Sequence, residues 1–330
     1  MVVAYNPNGK KQAAIGTAMP ATSLTAALSA ISKEWPEVVE TTQDIMNCTA
    51  EDIRDRKVTA RYGRIRIEIN ASIRDLAIFL AYHMGSVLAP VAAALLWMHQ
   101  ILRIPFGIYQ PPMFSLIFGF AESDATPALV RDCVVDDIEI SIGAKRKVTF
   151  TINLKFNGDI QDAPEDYVLP ACDDQPVIYG TDCAFTVGGV DLSAIAKEVT
   201  FTSSNGILVD DDPFTLNSID VKRLERANVR TAMIAASLEG QAGDANWVNM
   251  VARNKLATSI RIGPAAGEKV VINAPYAEIS RNGSGKGYDG QAGRSMLRMN
   301  AEPFTNGTAA SPISAQATTS QEAAYLVTAV

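Results

Sequence analysis

The sequence predicts a mainly β fold with few helices, arranged as two successive β-rich units that each carry one helix. Three observations lead there. A long amphipathic hairpin lies near the middle of the chain, and a strand–helix–strand order recurs in both halves. The length of 330 residues is also enough for two domains.

The hairpin is the clearest signal. In "CVVDDIEISI", Ile138, Ile140 and Ile142 alternate with Asp137, Glu139 and Ser141. In "KVTFTINLKF", Val148, Phe150, Ile152, Leu154 and Phe156 alternate with Thr149, Thr151, Asn153 and Lys155. A period of two gives each strand one apolar and one polar face, and "GAKR" between them supplies the turn.

The other elements follow in chain order. "ATSLTAALSAISKEW" (21–35) has apolar residues at helical spacing and is stopped by Pro36, so it predicts a helix. Ile65, Ile67 and Ile69 alternate with Arg64, Arg66 and Glu68, the pattern of a half-buried strand. Ser72 then caps a helix with Asp75 in its first turn and Gly85 near its end. "ALLWMHQILRI" and "PPMFSLIFGFAES" read as strands, separated by Pro105 and Pro111–Pro112. Residues 157–177 are acidic and proline-bearing, and read as a linker.

The second half repeats the order. "DCAFTVGGVDL", "KEVTFTSSN" and "RTAMIAASLEG" predict strands, "DANWVNMVARNK" a helix, and "ATSIRIGP", "KVVINAPYAEIS" and "RSMLRMNAEPF" strands. The glycine-rich stretch 280–294 predicts a flexible loop. The expected division is a first β domain over 1–170, a second over 171–305, and a tail over 306–330. That tail is flexible or contacts a neighbour, with "AYLVTAV" able to add a strand there.

The run "DLAIFLAYHMGSVLAPVAAALLWMHQI" (75–101) asks whether the chain crosses a membrane. A spanning helix needs about 20 unbroken apolar residues. Gly85, Ser86 and Pro90 divide this run, which predicts a buried helix, a turn and a strand-like piece.

Composition narrows the function. With 36 acidic and 29 basic residues the net charge is −7, which argues against tight binding to a nucleic-acid backbone. Cys48, Cys133, Cys172 and Cys183 form no C-x-x-C pair and stand far in sequence from His83 and His99, so no zinc-finger spacing exists. The amino terminus lacks the basic start and apolar core of a signal peptide, and synthesis in a cytoplasm is expected. "GSGKGYDG" fails as a phosphate-binding loop because glycine, not Ser or Thr, follows Lys286. The acidic stretches "PACDD" and "VDDDPF" lack the oxygen spacing and glycine of a calcium loop. Neither histidine has an acidic or nucleophilic neighbour in sequence. No catalytic, cofactor or metal residue is assigned, and no enzyme is expected.

Several stretches in fixed order resemble the major tail tube proteins of long-tailed bacteriophages, in the form with two tube-type folds per chain. They are "EINASIRDLAIFLAYHMGS", "WMHQILRIPF", "PPMFSLIFGFA", "VRDCVVDDIEISIGAKRKVTFTINLKFNGD" and "KVVINAPYAEI", covering roughly residues 40–300. The family's hairpin usually opens with a Gly-Cys pair, and here Asp132 replaces the glycine. The segment "VLAPVAAALL" is more apolar than the family pattern.

The resemblance implies two tandem β-sandwich or barrel domains, each flanked by a helix. It implies a chain that assembles with itself, three chains to a ring and ring upon ring, into a hollow conduit for DNA ejection. Partners would be further copies of the chain, the tape measure, the tail terminator and the baseplate or tip. DNA would pass without specific binding, no membrane and no cofactor would be involved, and the location would be the virion tail. Asp137 and Glu139 are the candidate lumen carboxylates, although they suit an ordinary solvated face nearly as well. Asp159, Asp162, Glu165, Asp166, Lys286 and Tyr288 are the candidate inter-ring contacts. A capsid or adhesion β-sandwich, the tube protein of another injection machine, and an undetected hydrolase are the alternatives.

Overall fold

A computed structural model describes residues 2–28, 30–46, 53–104, 110–120, 126–171, 175–208, 224–226, 230–240, 243–289, 294–305 and 311–327. It is mostly β. The first half runs β1 (Val2–Tyr5), β2 (Ala26–Ala27), β3 (Ala30–Lys33), β4 (Glu37–Met46), β5 (Ile53–Asn70), helix α1 (Ile73–Met84), β6 (Gly85–Val87), β7 (Val91–Ala93), β8 (Leu96–Arg103), β9 (Phe114–Gly119), β10 (Ala128–Gly143), β11 (Thr149–Phe156) and β12 (Ile160–Asp162). The second runs β13 (Ala184–Val187), β14 (Val190–Asp191), β15 (Ala196–Ser204), β16 (Ile207–Leu208), β17 (Glu225–Arg226), β18 (Thr231–Glu239), helix α2 (Ala245–Ala252), β19 (Lys255–Ile262), β20 (Lys269–Asp289), β21 (Arg294–Pro303) and β22 (Ser314–Thr319).

Antiparallel pairing builds one large sheet in the order β4-β5-β11-β10-β15-β18-β21-β20. The predicted hairpin is at its centre, with Ile138 opposite Ile152 and Ile140 opposite Phe150. A second sheet runs β7-β8-β22-β20-β19-β13-β14, with β6 also on β8. Two strands serve two sheets each. Residues 269–273 of β20 pair with β22, while residues 277–289 pair with β21. In β10, Ala128–Val130 pair with β9 and β12, and Asp137–Gly143 pair with β15.

The apolar faces close on one continuous core. Ile67, Ile69, Phe150, Ile152, Ile138, Ile140, Phe201, Ile234, Met299 and Ile279 all belong to it. Helix α1 is buried along almost its whole surface, because Leu76–Ala81 fill the space under the sheet. Its ends are as the sequence predicts: Ser72 Oγ accepts from the Asp75 N–H at 3.1 Å, and Gly85 takes the left-handed conformation (φ 82°). At 12 residues it is about 18 Å long, short of a bilayer core. No helix among the described residues is long and apolar enough to cross a membrane. Helix α2 packs its Met250 into the core.

Four expectations need correction. Residues 21–35 do not form an α-helix: a 3-10 turn over Ala21–Ser23 precedes β2 and β3. Helical spacing there loses to pairing, since Ala27 lies opposite Ala4, and Ala30 opposite Ile69. The glycine-rich stretch is not a free loop: β20 continues through Asp289 and pairs with β21. Its glycines sit where the register shifts between Arg281 and Lys286, with Gly283 and Gly285 at φ 60° and 70°. The tail supplies β22, an inner strand between β20 and β8, and Tyr325 is buried against His99. Small alternating residues, Ala315 and Ala317, let β22 fit that tight interior position. Within the expected linker, β12 pairs with β10, and Tyr167 donates to the Met19 carbonyl at 2.5 Å. "VDDDPF" and residues 172–174 of "PACDD" lie outside the described residues.

Candidate functional site

The polar face of the large sheet is the surface on which the candidate residues fall. Antiparallel register converts the alternation of single strands into rows crossing the sheet. One row is neutral and small: Asn70, Thr149, Ser141, Thr200, Ala235, Asn300 and Ser280 lie opposite one another from β5 to β20. The row beside it carries Glu68, Thr151, Glu139, Thr202 and Met233 across β5 to β18. Glu302 and Glu278 face each other on β21 and β20, two residues along from Asn300 and Ser280. Four carboxylates thus edge a neutral strip. Glu68 and Glu139 are two strands apart, about 10 Å.

The predicted pair divides. Glu139 is exposed on this face. Asp137 is half-buried between Asn153 and Ser204, and burial raises its carboxyl above the ordinary value, against hydrogen bonds that lower it. Glu68, Glu278 and Glu302 were missed. Their signal was the polar phase of "RIRIEIN", "YAEIS" and "MNAEP", which shows a face but not a row.

The six other candidates are not brought together. Asp159 pairs with Arg131 and accepts from Gln161 at 2.9 Å. Asp162 ends β12, opposite Ala128. Glu165 and Asp166 are exposed in the following turn. Lys286 is remote from these in the topology, its ammonium 5.4 Å from the Trp247 ring centroid, with Arg281 at 5.8 Å. Tyr288 lies in β20 opposite Ser295, and its side chain is outside the described residues.

One buried constellation has the elements of a hydrolase and fails as one. His83 Nε2 is 2.8 Å from Ser203 Oγ, Asn205 Nδ2 donates to the His83 carbonyl at 2.8 Å, and Arg103 donates to Ser203 Oγ at 2.7 Å. Both His83 and Ser203 are sealed from solvent. Burial first, then the nearby Arg103 and Arg226, push the imidazole down to about 3. A ring that refuses a proton at neutral pH and meets no solvent cannot serve as a general base. The cluster instead ties α1 and β8 to β15. No group of three or more His, Cys, Asp or Glu that could hold a metal exists among the described residues.

A broad two-faced sheet, sealed on its apolar side and open at its outer strands, defines a structural subunit of the kind that assembles through surfaces. Comparison with known families agrees: a model described as phage tail tube protein matches residues 12–325, and the chain belongs to that family. It is a structural protein of the virion tail, a place where it assembles with itself and other tail proteins. No curated protein matches it.

Proposed function

We propose that the chain forms rings of three copies that stack into a tube for DNA, with the polar face of the large sheet turned to the lumen. Each half of the chain then supplies one tube-type unit, the first over 1–170 and the second over 171–305. The observation that carries this reading is the sheet with its row of carboxylates beside a row of small neutral groups. Such a surface repels phosphates at close range. Its cations are scattered, Arg253 beside Glu278 and the exposed Arg66 and Arg298 in the adjoining rows, so a duplex meets no continuous basic track and slides past it.

Strand number supports the closure. The sheet has eight strands, all antiparallel, so its two outer strands, β4 and β20, run in opposite directions. Among the described residues, β4 and residues 280–289 of β20 are paired on one side only. Head-to-tail contact between them continues the antiparallel alternation and removes both edges. Eight strands from each of three chains, at about 4.8 Å spacing and about 40° tilt, give roughly 45–50 Å between opposite backbones. That leaves room for a duplex inside a layer of side chains. The protein has no catalytic task in this reading.

Electron microscopy of the purified full chain tests it. Rings or tubes with three-fold symmetry and a lumen of that width are expected. Rings of six whole chains, or a polar face turned outward, would overturn it.

A further inference from the structure

The segment between α1 and the middle of β8 is uncharged from Gly85 through Gln100 and strongly apolar, yet it lies at the surface. Leu88 is 47% exposed, Val91 57% and Leu95 96%. Val91 lies opposite Met98 and Ala93 opposite Leu96, so Ala94 and Leu95 form the tip of a two-residue hairpin, with Ala94 at φ 57°. Among the described residues, β7 pairs only with β8, leaving an uncharged open edge. Natural sheets protect such edges with charge, proline or cover. Pro90 is the single such device before β7.

At the far end of the same sheet lies a counterpart. A cleft of about 410 Å³ has Phe185, Cys183, Ile260, Ile142 and Val199 in its walls, with Ala194 beside them and the charged Lys145, Lys197 and Glu198 also lining it. It adjoins β13 and β14, where Val190 is 60% exposed. The sheet order puts β8, β22, β20, β19 and β13 between β7 and β14. The two apolar features therefore cannot meet within one chain.

We propose that the β7–β8 hairpin of one copy docks on the β13–β14 side of the next, with Leu95 entering the cleft. This rests on the ring assembly proposed above and names a second contact in it. The occupant is a second copy for two reasons. Without Lys or Arg the segment offers nothing to hold a phosphate-bearing partner, while its apolar tip matches the apolar walls of the cleft. Its extent, about a dozen residues, is also half of what one side of a stable interface contributes, so it belongs to a larger contact. The joined edges of the large sheet supply the remainder. Both contacts are head-to-tail, so they close in the same ring.

Two measurements on the full chain test it. Leu95→Lys should lower the assembled fraction about tenfold or more, because its ammonium would be brought out of water into a cleft that already carries Lys145 and Lys197 against the single Glu198. The melting temperature of the unassembled chain should stay unchanged, since Leu95 makes almost no contact within it. In a background with Cys48, Cys172 and Cys183 replaced by Ser, which leaves only the buried Cys133, Leu95→Cys chains mixed with Ala194→Cys chains should form disulfide-linked dimers on oxidation, and neither variant should do so alone. If Leu95→Lys assembles like the parent, or the mixed dimers are absent from assembled rings, this inference falls and the ring reading stands. If the parent forms no rings, both fall.

Discussion

Asp132 shows how one side chain does two jobs. It sits at φ 58°, in the left-handed region, where β10 passes from one sheet to the other. Glycine reaches that conformation freely. Here the carboxylate repays the backbone cost. It is buried and accepts from Gln12 Nε2, from the Gly16 N–H at 2.9 Å and from Asn157 Nδ2 at 2.8 Å. Asp132→Gly should lose these bonds alone, whereas Asp132→Ala should lose them and strain the backbone, costing about 1 kcal/mol more. Urea midpoints of the two variants check the order.

His83 gives the second residue-level expectation. Its folded value of about 3 lies below the ordinary 6.5, so between those values the unfolded chain binds the extra proton. Stability is therefore full above pH 6.5 and falls by about 1.4 kcal/mol for each pH unit below it. The unassembled chain should lose roughly 2 kcal/mol from this group between pH 6.5 and 5. His83→Gln should flatten that part of the profile. An unchanged slope would mean that the burial of His83 does not govern it.

Among the elements, α1 was the most legible. Its cap, its acidic first turn and its glycine stop act within a few residues of chain, so local rules suffice. Gly85 also has a tertiary duty that local rules do not reveal: a Cβ there would overlap Ile104 and crowd Pro112. Gly85→Ala should destabilise the chain by more than the 1–2 kcal/mol of left-handed strain, as read by thermal denaturation. The stretch 21–35 was misleading for the opposite reason. Its spacing suited a helix, but Leu24, Ala26, Ala27 and Leu28 are all buried where β1 and β5 offer open edges. Tertiary pairing overrides weak local preference. Likewise, Gly283 and Gly285 looked like loop residues and prove to be a bulge inside a long hairpin.

For the whole molecule, the row of Glu68, Glu139, Glu278 and Glu302 is the feature that assembly would multiply. Replacing all four by Gln should leave the fold intact, because these side chains lie on the polar face and the one ion pair lost, Glu278 with the exposed Arg253, contributes at most about 1 kcal/mol. In assembled tubes the change should raise DNA retention, most visibly at low salt where screening is weakest. Retention measured with labelled duplex at two ionic strengths reads it out. Equal retention by parent and variant would remove the lumen role of the row.

Alternation in single strands and the capped helix were determined by the sequence itself, because they depend on residues close together in the chain, and the acidic balance because it depends on composition alone. They were enough for a mainly β chain and for its resemblance to tail tube proteins. Only the tertiary structure decided which strands adjoin, and hence that Glu139 shares a row with Glu68 while Asp137 turns into a half-buried site. It also decided that the tail supplies an inner strand and that an uncharged hairpin stands exposed at one edge. Those outcomes depend on contacts between residues tens to hundreds of positions apart, and register across a sheet leaves no periodic trace in any one strand.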